Sequence, residues 1–94
     1  MLMTHHLSKD VVKTRVRQFV VDSFLFGQDS QSLSDDDSFL DRGIVDSTGV
    51  LELVGFLETQ FKVSVDNHEL IPDNLDSINR VTTFVSAKLS GSQS

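Results

Sequence analysis

The run from Asp46 to Phe61 constrains this chain more than any other. Val50, Leu53, Val54, Leu57 and Phe61 recur at i, i+3, i+4, i+7 and i+11. That spacing lays one apolar stripe along one side of an α-helix. Asp46 precedes the stripe and suits an N-cap, so the pattern predicts a helix over 47–61. Leu51 and Phe56 fall at the edges of the stripe. A helix with one apolar face needs neighbours to cover that face. Gly49 and Gly55 each weaken the helix by about 1 kcal/mol relative to Ala. Each marks either the close approach of a neighbour or simple tolerance.

Two further helices supply the cover. Val12, Val16, Phe19 and Val20 recur at helical spacing between Ser8 and Gly27, and Phe26 falls near the same face. Ser8 or Asp10 suits the start and Gly27 the end. Lys9, Lys13 and Arg17, spaced by four, read as a solvated opposite face. Ser77 precedes Ile78, Val81, Val85 and Leu89, which predicts a last helix ending near Leu89.

The connections are also informative. Residues 28–46 form a long Ser- and Asp-rich stretch, a length that is usually functional or locally packed. Ser38 to Gly43 has room for one turn of helix, pinned by Phe39 and Leu40. Ile44 and Val45 then re-enter the interior. Val63-Ser64-Val65 reads as extended. Asp66 suits the cap of a short helix through Leu70, and Pro72 ends it, because a proline pushes its predecessor out of the helical region. Asp73 to Asp76 reads as a turn. With no strand pattern, the expectation is all-α: a small four-helix bundle of three main helices plus one short helix. It forms one domain over residues 8–89, with a disordered N-terminus at 1–7 and a disordered tail at 90–94.

Composition removes several chemistries. A chain of 94 residues buries only about 60–65% of its unfolded surface, too little for a large closed active-site cleft. It has no cysteine, which excludes disulfides, thiolate nucleophiles and cysteine-ligated metals. Thiol chemistry would need a thiol supplied from elsewhere. Eight Lys+Arg stand against 14 Asp+Glu, for a net charge of −6. Most of the acidity lies after residue 27, where phosphate backbones would be repelled. No nucleic-acid partner is expected, and a basic protein partner suits the charge. No apolar run is long enough for a membrane span. Met1 to His6 lacks the pattern of a signal peptide, so a cytoplasmic location is expected.

Candidate sites narrow to one serine. Asp35-Asp36-Asp37 resembles the start of a calcium loop, but Phe39 and Leu40 occupy loop positions 5 and 6, where an EF-hand needs an oxygen ligand and Gly. His5, His6 and His68 lack the spacing of a zinc site. Ser47 lies in Asp46-Ser47-Thr48-Gly49, which is not a nucleophile elbow, and no oxyanion-hole loop accompanies it. Yet Ser47 follows an acidic cap at the start of the strongest helix, at the end of a long loop. Its hydroxyl is within reach of another protein's active site. A phosphate attached there would meet the positive end of the helix dipole. The plainer reading is a serine in a first helical turn, where serine is common.

The run Leu40-Asp41-Arg42-Gly43-Ile44-Val45-Asp46-Ser47-Thr48-Gly49-Val50-Leu51-Glu52-Leu53-Val54 resembles the attachment region of acyl carrier proteins, with their G-x-D-S motif before a helix. Phe61-Lys62-Val63-Ser64-Val65 is similar to the F-G-I-x-I segment that follows that helix. The resemblance spans roughly residues 8–89. It implies a non-catalytic monomer of four-helix fold. A phosphopantetheinyl transferase would move 4′-phosphopantetheine from coenzyme A onto Ser47. The arm's thiol would hold acyl groups as thioesters and present them to loading ligases and acyl-transferring enzymes. The resemblance also implies partner docking through Asp46, Thr48, Leu51, Glu52, Gly55, Phe56 and Glu58. Leu51 and Phe56 are expected to line a space for the cargo.

The departures matter. Thr48 stands where the family usually has Leu or Met. Gly49, Thr59 and Gln60 stand where acidic residues are common. Gly43-Ile44-Val45-Asp46-Ser47-Thr48-Gly49 is closer to the G-L-L-D-S-M-G pattern of D-alanyl and aminoacyl carriers. An aminoacyl or D-alanyl cargo, loaded by an adenylating ligase, is therefore the alternative to an acyl cargo. An unmodified acidic helical adaptor is the alternative of another class.

Overall fold

The computed structural model describes residues 8–25 and 33–91. Five α-helices and one 3₁₀ turn follow in order: α1 (Lys9–Phe24), α2 (Phe39–Arg42), α3 (Ser47–Phe61), the 3₁₀ turn (Asn67–Glu69), α4 (Pro72–Leu75) and α5 (Ile78–Gly91). There is no strand among the described residues. The three long helices form the expected all-α bundle, with α5 packed on α1, α3 and α4, and α1 on α3. Between them lie three short pieces: α2, at the turn expected between Ser38 and Gly43, the 3₁₀ turn, and α4, which was not expected.

Ser8 caps α1, its hydroxyl accepting the Val11 N–H. Val12, Val16 and Val20 are fully buried against Leu53 and Leu57 of α3 and Ile78, Val81 and Val85 of α5. α1 ends at Phe24, and the predicted terminus at Gly27, with Phe26, lies outside the described residues. The same holds for residues 1–7 and 92–94. α5 begins after Ser77, whose hydroxyl accepts the Arg80 N–H at 3.1 Å. It runs two residues beyond Leu89, to Gly91.

The basic stripe of α1 is not simply a solvated face. Lys13 Nζ lies 3.4 Å from Asp35 and Arg17 Nη2 lies 2.6 Å from it. Arg17 also donates to the Leu33 carbonyl at 2.8 Å. The Arg17 hydrogen bond, outweighing partial desolvation and reinforced by Lys13, holds the Asp35 carboxyl below the usual range. Asp36 accepts from Asn79 Nδ2 at 2.6 Å, and Asp37 pairs with Arg42 at 2.6 Å. The acidic run is therefore engaged in tying the long connection to α1, α2 and α5. No metal-holding group of His, Asp and Glu occurs among the described residues.

Three local expectations are corrected. Phe39 is buried and pins the connection, but Leu40 is 54% exposed. A four-residue helix turns one side inward, and these neighbours point to different sides. Pro72 does not end a helix. It opens α4, where a missing N–H costs nothing, and Asp73 to Leu75 are helical rather than a turn. The proline's restriction falls on Ile71, which is extended at φ −126° and ψ 153°. The short helix expected from Asp66 to Leu70 is one 3₁₀ turn, Asn67–Glu69.

Candidate functional site

The start of α3 is built by its cap. Asp46 is extended, and its carboxylate accepts the Gly49 N–H at 2.7 Å. Val50 N–H donates to the Asp46 carbonyl at 2.9 Å. Ser47 and Thr48 form the exposed first turn. The first N–H groups of a helix have no intrahelical acceptor. Those of Ser47 and Thr48 therefore open the positive end of a 15-residue helix.

Gly49 is buried beneath this turn. A Cβ placed on it would lie 3.0 Å from Phe24 Cε1, 3.2 Å from Val45 Cγ1 and 3.3 Å from Asp46 Oδ1. Close approach explains this glycine. Gly55 is exposed, and a Cβ there would meet nothing within 4 Å. Tolerance explains that one.

Ser47 shares a half-open apolar groove of about 230 Å³ with Leu40 of α2, Val45 just before α3, Val50 in its first turns, and Leu70, Ile71 and Leu75 from the far side. Phe39, Pro72 and Asp76 complete its lining. Neither Leu51 nor Phe56, the residues expected to line a space for cargo, lines this groove; Phe56 lines a separate hollow with Arg15, Phe19 and Gln60. Leu51 is 63% exposed. Phe56 is half-buried in an aromatic cluster, stacked on Phe19 at 4.2 Å and edge-on to Phe61 at 6.0 Å. The cluster turns Phe56 toward α1, away from the groove.

The remaining residues of the expected docking face occupy one side of α3. Asp46, Thr48, Glu52, Gly55 and Glu58 are exposed. Glu58 also has a structural task, accepting the Val65 N–H at 2.9 Å. His68 is exposed on the 3₁₀ turn. With Asp46, Glu52 and Glu58 as the acidic groups on this face of α3, its charge is modest.

Sequence patterning missed Leu70, Ile71 and Asp76 as groove residues. Ile71 before Pro72 carried a usable signal, an apolar residue in extended backbone. Asp76 carried none, because its partners lie far away in sequence. The far wall is itself anchored. Glu69 Oε1 sits 2.7 Å from Lys88 Nζ of α5 and accepts the Asp66 N–H at 2.9 Å. The Lys88 hydrogen bond, ahead of the Asp66 N–H, holds the Glu69 carboxyl below its usual range. Asn74 Nδ2 donates to the Glu69 carbonyl at 3.0 Å.

No helix among the described residues is long and apolar enough to cross a membrane. No protein-family model matches the chain. The chain is similar to the D-alanyl carrier protein of Streptococcus uberis (strain ATCC BAA-854 / 0140J), at 32% identity over 72 residues. The match covers 74% of this chain and 90% of that protein. The exposed serine, its capped helix, the all-α bundle and a likeness of this length agree, and the chain belongs to the carrier-protein family.

Proposed function

We propose that Ser47 is the attachment point of a 4′-phosphopantetheine arm and that the domain is a non-catalytic carrier. The observation that supports this most is the placement of Ser47: exposed, at the first position of α3, on the rim of an apolar groove. The donor set fits a phosphodiester. The helix start offers backbone N–H groups and a positive dipole end, and Asp46 is occupied by Gly49. When bound, the arm supplies the thiol that this cysteine-free chain lacks. In the loading step Ser47 Oγ forms the new bond to phosphorus and the coenzyme A pyrophosphate bond breaks. The nucleotide departs, and the serine proton passes to a base of the transferase.

The chain's own part is to expose the hydroxyl, fix its position and present α3 to partners. Asp46, Thr48, Leu51, Glu52, Gly55 and Glu58 form the proposed docking face, with Phe56 at its buried edge. A phosphopantetheinyl transferase, a loading ligase and acyl-transferring enzymes are the proposed partners. Tethering raises the effective concentration of cargo at each of them. Such a carrier works in the cytoplasm.

Two observations bear on the cargo. The relative named above is a D-alanyl carrier protein, and Gly43 to Gly49 follow the pattern of aminoacyl carriers. We therefore place an aminoacyl group, D-alanine first, as the cargo to test. The apolar groove beside Ser47 supports the second reading, an acyl chain.

The test is the intact mass after incubation with coenzyme A and a broad-specificity phosphopantetheinyl transferase, beside a Ser47→Ala control. One added phosphopantetheine, absent in the control, is expected. A folded wild-type protein that gains no mass with several transferases would overturn the carrier reading in favour of an unmodified adaptor.

A further inference from the structure

Asp76 joins parts of the chain that lie far apart in sequence. It closes α4 and directly precedes Ser77, the cap of α5. Its carboxylate reaches the start of α2: Oδ2 accepts the Ser38 hydroxyl, and Oδ1 accepts the Leu40 N–H at 3.0 Å. Its backbone carbonyl accepts the Phe39 N–H at 2.7 Å. Ser38 Oγ in turn accepts the Asp41 N–H at 3.1 Å. The first N–H groups of α2 are thus satisfied largely by one remote residue and by the serine that residue holds.

This matters because α2 has only four residues. A single helical turn is not self-sustaining in water. Phe39 anchors it by burial, and Asp76 fixes its start. At its other end Gly43, at φ 67°, turns the chain toward Ile44, Val45, Asp46 and Ser47. Asp76 also lines the same groove as Ser47. Leu40 of α2 stands on one side of that groove and Ile71 and Pro72 on the other. Asp76 is bonded to the first side and ends the helix that Pro72 begins.

We propose that Asp76 is a positioning residue for Ser47. By clamping α2 to the junction of α4 and α5, it sets the path of the loop that delivers the serine and the width of the groove beside it. This inference rests on the carrier reading above. The clamp acts by keeping the loop in the conformation a transferase accepts. Its removal lowers the population of that conformation, which raises the apparent dissociation constant in proportion.

The experiment measures phosphopantetheinyl transfer from coenzyme A to full-length wild type, Asp76→Ala, Asp76→Asn and Asn79→Ala, with amide hydrogen exchange on the same proteins. Asp76→Ala is expected to raise KM for the carrier about tenfold with kcat within about twofold, as a tenfold fall in competent loop would. Asp76→Asn keeps an oxygen for the Leu40 N–H and is expected to recover most of the loss. Asn79→Ala removes the bond to Asp36 but leaves the cap of α2, and KM should stay at the wild-type value. Exchange at Leu40 and Ile44 should accelerate in Asp76→Ala while Val81 and Val85 stay protected.

A wild-type KM in Asp76→Ala would overturn the proposal. So would an equal rise in Asn79→Ala, which would mean general loosening of the connection. Should Asp76→Ala fail to fold, Ser38→Ala takes its place, with KM expected to rise and an unchanged KM counting against the clamp. Wild type that is never modified would defeat the carrier reading instead, and exchange at Leu40 and Ile44 would then decide the clamp alone.

Discussion

Phe24 of α1 lies across Gly49 of α3 so closely that a Cβ on the glycine would stand 3.0 Å from the ring. Val45 and Asp46 close the other sides at 3.2 and 3.3 Å. Helix propensity alone would reward Gly49→Ala by about 1 kcal/mol. Overpacking against a ring, a branched side chain and the capping carboxylate costs about 1–3 kcal/mol and outweighs it. Gly55 has open space, so Gly55→Ala keeps the propensity gain of up to about 1 kcal/mol. Urea denaturation of the two variants is expected to move in opposite directions, and stabilisation by both would show that Phe24 yields easily.

The core of α3 and its functional edge should separate cleanly. Leu53 and Leu57 are fully buried, so truncating either to Ala should cost about 2–5 kcal/mol. Ser47 is exposed and Asp46 carries the cap, so Ser47→Ala should change stability by less than about 0.5 kcal/mol. Asp46→Ala should cost about 1 kcal/mol by stranding the Gly49 N–H. Thermal melts give all four values. A large loss at Ser47 beside small losses at the leucines would mean that the wrong face of the helix had been placed inward.

Lys62 closes α3 in the left-handed region at φ 57°. It occupies the position that reads as Gly in the F-G-I-x-I pattern of the resemblance. An L side chain there is strained by about 1–2 kcal/mol. Lys62→Gly removes that strain at the cost of a more flexible unfolded chain. A net gain of about 0.5–1 kcal/mol is expected in denaturant unfolding. A loss would show that the Lys62 side chain contributes more than its backbone costs.

The long helices were legible because periodicity needs only local sequence. Val50 to Phe61 and Ile78 to Leu89 announced their buried faces, and Ser8, Asp46 and Ser77 announced their starts. What escaped was set by distant partners. Nothing near Asp76 signals that its carboxylate caps α2, and nothing near Lys13 or Arg17 signals Asp35. The expectation that Leu51 and Phe56 line a space for cargo also meets distant partners. The Phe19 ring claims Phe56, and solvent receives Leu51. Pro72 looks like a stop in the sequence, whereas its restriction acts on Ile71 and leaves Asp73 to Leu75 helical.

Glu69 links the far wall of the groove to α5, and its carboxyl is held below its usual range, first by the Lys88 hydrogen bond. A carboxyl whose folded pKa lies below its unfolded value stabilises the fold above the unfolded value. That stabilisation fades as pH falls through the unfolded value, near 4.3 for a free Glu side chain, and is gone below the folded one. Wild type should therefore melt above Glu69→Gln at pH 7. The gap should close as the pH drops below about 4. A gap that stayed constant from neutral to acid pH would remove the Lys88 pair from the account of this wall.

The groove makes a prediction about cargo that the carrier assignment alone does not. Leu40, Val50, Leu70, Ile71 and Leu75 give it an apolar lining. A saturated medium-length acyl chain gains about 0.8 kcal/mol for each methylene it buries there. A D-alanyl group carries one methyl beside an ammonium; the carboxylate in the lining, Asp76, already accepts from Ser38 and Leu40, so burying that charge among the apolar side chains is costly. Amide spectra of the octanoyl-loaded protein should therefore differ from those of the unacylated arm-bearing form at Val50, Leu70, Ile71 and Leu75. D-alanyl loading should leave those four unmoved. Hydrolysis rates should follow the same division, with the octanoyl thioester partly sheltered and the D-alanyl thioester as labile as a free one. Octanoyl-induced changes confined to Leu51 and Phe56 would return the cargo to the face of α3 first expected from the sequence, and would leave the groove without a role in holding it.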